Sequence, residues 1–520
     1  MNFDNNDIYV TSEIGRLRKI LVHSPDGGIG KIIPSKFKDW LYDDTVHLTR
    51  MQNEYDEYVK VLLYFLDPEK IDLIEQCGYT RSGRPKFFIP SVNEYYNSDK
   101  VLDVQVLLAQ ILQDEVIRTR LVASICAIEE CSMHVVNLLL NDKKIDNKNL
   151  ANVFITGILE IDGQTEFLFP PTPNLIFTRD IAISVHNHLL LTKLSKKARI
   201  REALLAKYIA YFSLLKNDAS KIIEIIDETD LFLYEEYEQK DMLITVEGGD
   251  IMMIAPNHLL VGCSERTSPN GANEMVHTIF KNNNLNIEKV TVIKIPQLRA
   301  HMHIDTIFTQ VSRNIWVMYG GYSDTLSNEK DFQKKRYFDG TGGVFEPEDQ
   351  DGLEVFQFYK PREDKYDASK DYRLKMNDYK RPEISRKFGP GMPEDLESLL
   401  KQISIYDFRC HERDVKFIYS ADGIFPYDER EQWTDSCNVL AIKEGVVIGY
   451  DRNEKTADAF MRNGFNVLTT KQVFQEFECG NLTPDTMEKT LILLPSSELS
   501  RGRGGSHCMS MPLLRDNLII

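Results

Sequence analysis

The chain has 520 residues, 42% hydrophobic and 27% charged, enough to bury a large core, and it lacks the run of roughly 18 apolar residues that a membrane-spanning helix needs. Its formal net charge of -17 disfavours nucleic acid and anionic membrane as partners, since both require a positive surface. The eight cysteines include no Cys-x-x-Cys pair and the opening Met1–Asn6 is polar and acidic, so the expectation is a cytoplasmic protein with free thiols.

In chain order, the apolar run from Arg16 to His23 reads as a strand without its hairpin partner. Residues 71–150 read as an inserted helical subdomain. Val104, Leu107, Leu108, Ile111 and Leu112 recur at helical spacing, and Val116, Ile117, Leu121, Val122 and Ile125 extend the stripe, whose plain purpose is packing. Asp180 to Leu191, turning at His186-Asn187, is the first of four full hairpins, each opened by an acidic or amide residue. A helix covers Arg199 to Leu215, and Glu247-Gly248-Gly249 introduces the second hairpin, Asp250 to Gly262, which turns at Pro256-Asn257.

The third hairpin, Asp305 to Tyr319 with its turn at Arg313-Asn314, follows His301-Met302-His303; on extended chain the period of two puts His301, His303 and Asp305 on one face. Residues 321–395 are then rich in Lys, Asp, Glu, Tyr and Gly, with Lys334-Lys335-Arg336 and Gly340 to Gly343 among them. They read as a polar surface excursion, a lid over a pocket or a contact between subunits. The fourth hairpin is Asn438 to Tyr450, turning at Glu444-Gly445. Such self-similarity predicts strand-rich units arranged radially, which would bring Asp180 and Asp305 to one axis, although a single Asp opening a hairpin more often only caps it.

The densest chemistry is the segment Arg501-Gly502-Arg503-Gly504-Gly505-Ser506-His507-Cys508. Glycines let backbone approach a ligand closely, and a thiol after them is placed to attack it. Read alone, a free Cys is as often a small buried hydrophobe. On extended chain His507 points away from Cys508, so His303 is the better proton partner. The His-x-His pair with Asp180 or Glu247 also matches a metal-ligand set, which would make the chain a metal-dependent hydrolase and would leave the thiol segment unexplained. Asp180, Glu247 and Asp305 together form an acidic pocket that a planar guanidinium, with its fork of N–H donors, would satisfy.

Six blocks, in order, resemble the arginine deiminase family of guanidino-group-modifying enzymes. They are Ser12-Glu13-Ile14-Gly15 to His23, Pro173-Asn174 with Phe177-Thr178-Arg179-Asp180, Glu247 to Asp250, Met302 to Asp305, Glu431-Gln432-Trp433, and Arg501 to Pro512. The resemblance implies an α/β fold, a pentein-like propeller of five pseudo-symmetric units over residues 1–70 and 151–520 with the helical insertion at 71–150. It implies hydrolysis of L-arginine to L-citrulline and ammonia through a covalent amidino-cysteine intermediate, with no cofactor and no metal. Cys508 would be the nucleophile, His303 the general acid and base, Glu247 the carboxylate orienting His303, and Asp180 and Asp305 the groups gripping the guanidinium. Arg503, Arg199 and Arg266 would bind the substrate carboxylate and Asn174 its amino-acid end. The nearest alternative is an amidinotransferase on the same fold, in which an amine instead of water takes the amidino group. The stretch between Asp305 and Glu431 is longer than is usual in the family, the extra length falling in 321–395, which leaves room for a homo-oligomer.

Overall fold

The computed structural model describes residues 8–161, 163–225, 243–323, 326, 353–360 and 395–519. Apolar runs and tight turns give a mixed α/β fold of six small sheets among the described residues: one is the lone pair Ile158–Ile161 with Gln164–Phe167, and each of the other five contains an antiparallel pair with a parallel neighbour. All four hairpins of the sequence pattern form. Ala182–Val185 pairs with His188–Leu191, Ile251–Ala255 with His258–Cys263, Phe308–Ser312 with Ile315–Met318, and Leu440–Lys443 with Val446–Tyr450. Their parallel neighbours are Ile222–Glu224, Lys289–Lys294, Lys416–Tyr419 and Thr490–Leu494. Nearly every residue of the hairpin strands is buried, which is why they read as apolar runs rather than alternating ones. Two turns rest on left-handed backbone, His186 at φ 50° and Gly445 at φ 77°.

The lone strand of the sequence pattern, Leu17–Val22, finds its antiparallel partner at the other end of the chain in Met511–Arg515, and Val101–Asp103 is its parallel neighbour. Polar contacts then link the five mixed sheets pairwise in a closed order. Ser184 Oγ donates to Pro512 O (2.8 Å), His186 Nε2 meets Pro256 O (2.6 Å), and Ile304 N donates to Asp250 Oδ1 (3.0 Å). Arg313 forks onto Glu444 (2.7 and 2.8 Å), and Arg515 Nη1 donates to Ala441 O (2.8 Å).

Parallel neighbours require long crossovers, and helices supply them. Pro269–Lys281 starts at the Ser268 cap with Pro at its first position. Thr470–Glu478 opens with a capping box between Thr469 and Gln472. The long helix Leu48–Leu66 packs Tyr55, Tyr58, Leu62 and Phe65 into the core shared with Leu17, Ile20 and Val22. Four helices fill residues 104–156, each capped by an Asp or Ser, at Asp103, Asp114, Ser132 and Asp146. Leu107, Leu108, Leu121 and Ile125 are buried there, whereas Val116, in the first turn two residues after the Asp114 cap, is 58% exposed.

Two expectations change. Glu354–Tyr359, inside the polar excursion, is a strand antiparallel to Lys289–Lys294, while Lys334-Lys335-Arg336 and Gly340 to Gly343 lie outside the described residues. The His301-to-Asp305 segment is two short 3-10 turns rather than extended chain, so His301 parts from His303 and lodges against Tyr319 and Tyr322. Among the described residues no helix is long and apolar enough to cross a membrane.

Candidate active site

Cys508 sits in a tight turn just before Met511–Arg515, buried and fixed from three sides. Its N–H donates to Asn438 Oδ1 (3.0 Å), its carbonyl accepts from Arg179 N (3.1 Å), and its thiol faces Asp305 Oδ2 (3.4 Å). The glycines before it are forced by close approach: a Cβ on Gly504 would lie 2.4 Å from the Phe177 ring, and one on Gly505 2.5 Å from Asn438 O. Arg503 turns the chain in left-handed conformation, φ 59°.

Opposite the thiol stands His303, whose Nε2 meets Glu247 Oε2 at 3.0 Å while Nδ1 lies 3.9 Å from Asp180 Oδ1. The turn Gly248–Asp250 seats this ring, and Asp250 holds the backbone beneath it by accepting from Ile304 N. Burial alone would lower the His303 pKa, but Asp180, Asp250 and Glu247 outweigh it and raise it to about 10, so the ring is an imidazolium. Burial also works against the Glu247 carboxylate, yet Arg199 and His303 hold its pKa well below the usual range. For Cys508 burial first, then the charges of Asp305, Asp180 and Asp435, push the thiol well up.

The pocket is lined by Leu41, Asn174, Phe177, Asp180, Arg199, Glu247, Arg266, Arg299, Met302, His303, Gly502, Arg503 and Cys508. Asp180 Oδ1 and Asp305 Oδ1 are buried without a hydrogen-bond partner, and so are Arg503 Nε and Nη1 and Arg266 Nε. Arg503 is stacked on Trp433, its guanidinium carbon 3.4 Å from the ring centroid. Arg266 reaches Met302 Sδ (3.7 Å), and Asn174 Nδ2 donates to Trp40 O (2.9 Å).

Arg199 stands apart from the other arginines. Its guanidinium is paired with Asp180 (2.8 Å), Glu202 (2.7 Å) and Glu247 (3.3 Å), so in this arrangement it compensates the carboxylates. His507 likewise has its own partners, Asp305 Oδ2 (2.9 Å) and Glu13 Oε2 (3.2 Å); the segment is turned, not extended, so its side chain joins the thiol through a shared carboxylate. Three contacting residues had no role in the sequence reading. Arg299 lines the pocket and bonds Leu41 O and Asp43 (2.9 and 3.1 Å); Ser195 N and Oγ hold Glu247 Oε1 (both 3.0 Å); Asn438 Nδ2 reaches Cys508 Sγ (3.1 Å). Only Asn438 carried a signal, as the residue opening the fourth hairpin.

Ligand atoms of Asp180, Glu247 and His303 lie within 4.8 Å of one another, close enough for a metal ion. The donor set does not suit one. His301 is engaged by Tyr322 OH (2.8 Å), which leaves a single imidazole, and the Arg199 cation is paired with two of the three donors.

A buried thiol, an imidazole raised in pKa, and carboxylates and guanidinium groups with unpartnered atoms define an enzyme acting on the C–N bonds of amidines. The family model for arginine deiminase matches residues 98–349 and 393–515, and the chain belongs to that family. It is 26% identical to an arginine deiminase of Borrelia garinii over 527 residues, covering 99% of both chains, and 27% identical to one of Treponema denticola over 530 residues, covering 98% of this chain and 99% of that one. Among solved structures it is similar to an amidinotransferase of saxitoxin biosynthesis from Microseira wollei, at 11% identity and a TM-score of 0.44 over 98% of each chain.

Proposed function

We propose that this chain hydrolyses L-arginine to L-citrulline and ammonia through a covalent intermediate on Cys508, in a five-unit pseudo-symmetric α/β-propeller whose closed order of sheet contacts supports that arrangement. The observation that carries the reading is that buried groups of both signs lack hydrogen-bond partners around the thiol pocket. Arginine has a planar cation at one end and a carboxylate at the other; Asp180 and Asp305 offer unpartnered oxygens for the first, and Arg503 and Arg266 unpartnered N–H groups for the second.

The same carboxylates prepare the chemistry. In the empty site the carboxylates disfavour a thiolate; a guanidinium seated between them cancels that penalty, so substrate binding favours loss of the Cys508 proton to solvent. The thiolate attacks the guanidinium carbon, forming the S–C bond. His303, an imidazolium before the reaction, protonates one terminal nitrogen, and the C–N bond breaks to release ammonia. The neutral ring then takes a proton from water, whose oxygen attacks the same carbon. Breaking the S–C bond returns the thiolate and frees citrulline; the proton left over from the hydroxyl goes to ammonia, so arginine and water yield citrulline and ammonium. Glu247, fixed by Ser195 and Arg199, orients His303 throughout.

The test is Cys508→Ser, which keeps volume but not an ionisable thiol. Citrulline formation should fall by at least about 10³-fold with arginine binding retained. Mass spectrometry of the quenched parent should find on Cys508 an adduct equal to arginine less ammonia, an S-amidino thioether that still carries the ornithine skeleton. Full turnover by the variant defeats the reading, and ornithine appearing from arginine only when glycine is supplied would replace hydrolysis by amidino transfer.

A further inference from the structure

Each of the five mixed sheets carries, one to three residues ahead of its antiparallel edge strand, a polar or nucleophilic residue. These are Asp180, Asp250, Asp305, Asn438 and Cys508. Three are carboxylates, one is the thiol, and Asn438 is the member for which the reaction as written has no use. It is fully buried.

The amide orientation of Asn438 is fixed by two independent contacts. Oδ1 must be the oxygen, because it accepts from Cys508 N (3.0 Å); Nδ2 must be the nitrogen, because it donates to Asp305 O (3.0 Å). The second hydrogen on Nδ2 is then directed at Cys508 Sγ, 3.1 Å away. Two groups thus touch the sulfur within hydrogen-bonding reach, and they oppose each other. Asp305 accepts from the thiol and favours its protonated form, whereas an N–H donor favours the anion.

We infer that Asn438 is a further catalytic residue, whose side-chain N–H stabilises the Cys508 thiolate as it forms on substrate binding and again as it departs from citrulline. A neutral donor is the group this position requires. An aspartate here, as at the equivalent places of three other sheets, would bring another anion against the sulfur; a lysine or arginine would compete with the substrate cation for Asp180 and Asp305. The inference rests on Cys508 being the nucleophile.

Asn438→Asp and Asn438→Ala separate this role from simple anchoring. Asp keeps an oxygen for Cys508 N but loses the donor; Ala loses both. Loss of the donor predicts that each lowers kcat by on the order of 10²-fold with KM altered much less, and that Asp is at least as impaired as Ala. The alkylation rate of Cys508, followed on its own peptide by mass spectrometry with a non-reactive arginine analogue bound, should move its pH midpoint upward by about one unit in both. Circular dichroism and arginine binding in a Cys508→Ala background show whether either variant is misfolded, and the alkylation midpoint of whichever variant folds decides. If Asn438→Asp turns over like the parent, or the midpoint does not move, Asn438 only fastens backbone and the inference is overturned. Parent turnover that survives Cys508→Ser would instead overturn the nucleophile assignment, whatever Asn438 does.

Discussion

Arg503 is held by stacking rather than by ion pairing. Its guanidinium lies flat on Trp433, a ring 41% exposed at the pocket rim, and its nearest carboxylate, Asp43, is 3.8 Å away. A flat, preoriented fork with free N–H groups suits the two oxygens of an amino-acid carboxylate, and a lysine at the same place keeps the charge while losing both the fork and the stack. Arg503→Lys should therefore raise KM for arginine by about 10-fold or more with a smaller change in kcat. Agmatine, which lacks the carboxylate, should be a poor substrate for the parent. Steady-state kinetics on both compounds checks this, and equal kcat/KM for arginine and agmatine would remove Arg503 from the role.

At the scale of an element, the short Gly248–Asp250 turn shows how backbone sets chemistry. A Cβ on Gly248 would lie 1.9 Å from Arg179 O, a clash with backbone that nothing nearby can relieve. On Gly249 the neighbour is instead the ring of His303, at 2.5 Å from Nδ1 and 2.7 Å from Cγ. Gly249 has ordinary backbone angles, so alanine there is conformationally tolerable and the strain falls on the His303 ring. If His303 is the proton donor proposed above, Gly249→Ala should lower kcat by on the order of 10²-fold, because displacing such a group by an ångström has that scale of effect. Its thermal midpoint should stay within a few degrees of the parent's, and a variant that is fully active would show that His303 can move without cost. Little of this was legible in advance: a Gly pair before a hairpin signals a tight bend, but which side chain the bend must clear depends on the neighbouring sheet. His301 illustrates the same limit. A period of two is only a strand face if the segment is extended, and two 3-10 turns send the two histidines to different partners.

For the whole molecule, the hairpins could be read because each pairs residues close in sequence and carries its own turn chemistry, whereas the strand at Leu17–Val22 could not be completed, since its partner is nearly the full chain length away. The buried charges were least legible of all, because ordinary-looking residues become an ion cluster only when distant segments meet. His23 is such a case. It ends the first strand fully buried, with Asp26 Oδ2 at 3.2 Å and Asp103 Oδ1 at 4.0 Å, and so ties two strands and a loop of the first sheet together. Burial by itself would lower its pKa, but Asp103 and Asp26 outweigh burial and raise it to about 9. A histidine with a pKa near 6.5 in the unfolded chain and about 9 in the folded one binds its proton more tightly when folded. Its contribution, about 3 kcal/mol, is complete below roughly pH 6.5 and is lost as the pH climbs through 9. Comparing the unfolding midpoints of the parent and His23→Gln from pH 6 to 10 cancels the other titrating groups. The parent's lead should be largest at pH 6 and shrink steadily toward pH 10; a gap that stays constant across that range would mean that His23 is neutral in the folded protein and that its two carboxylates are balanced by other groups.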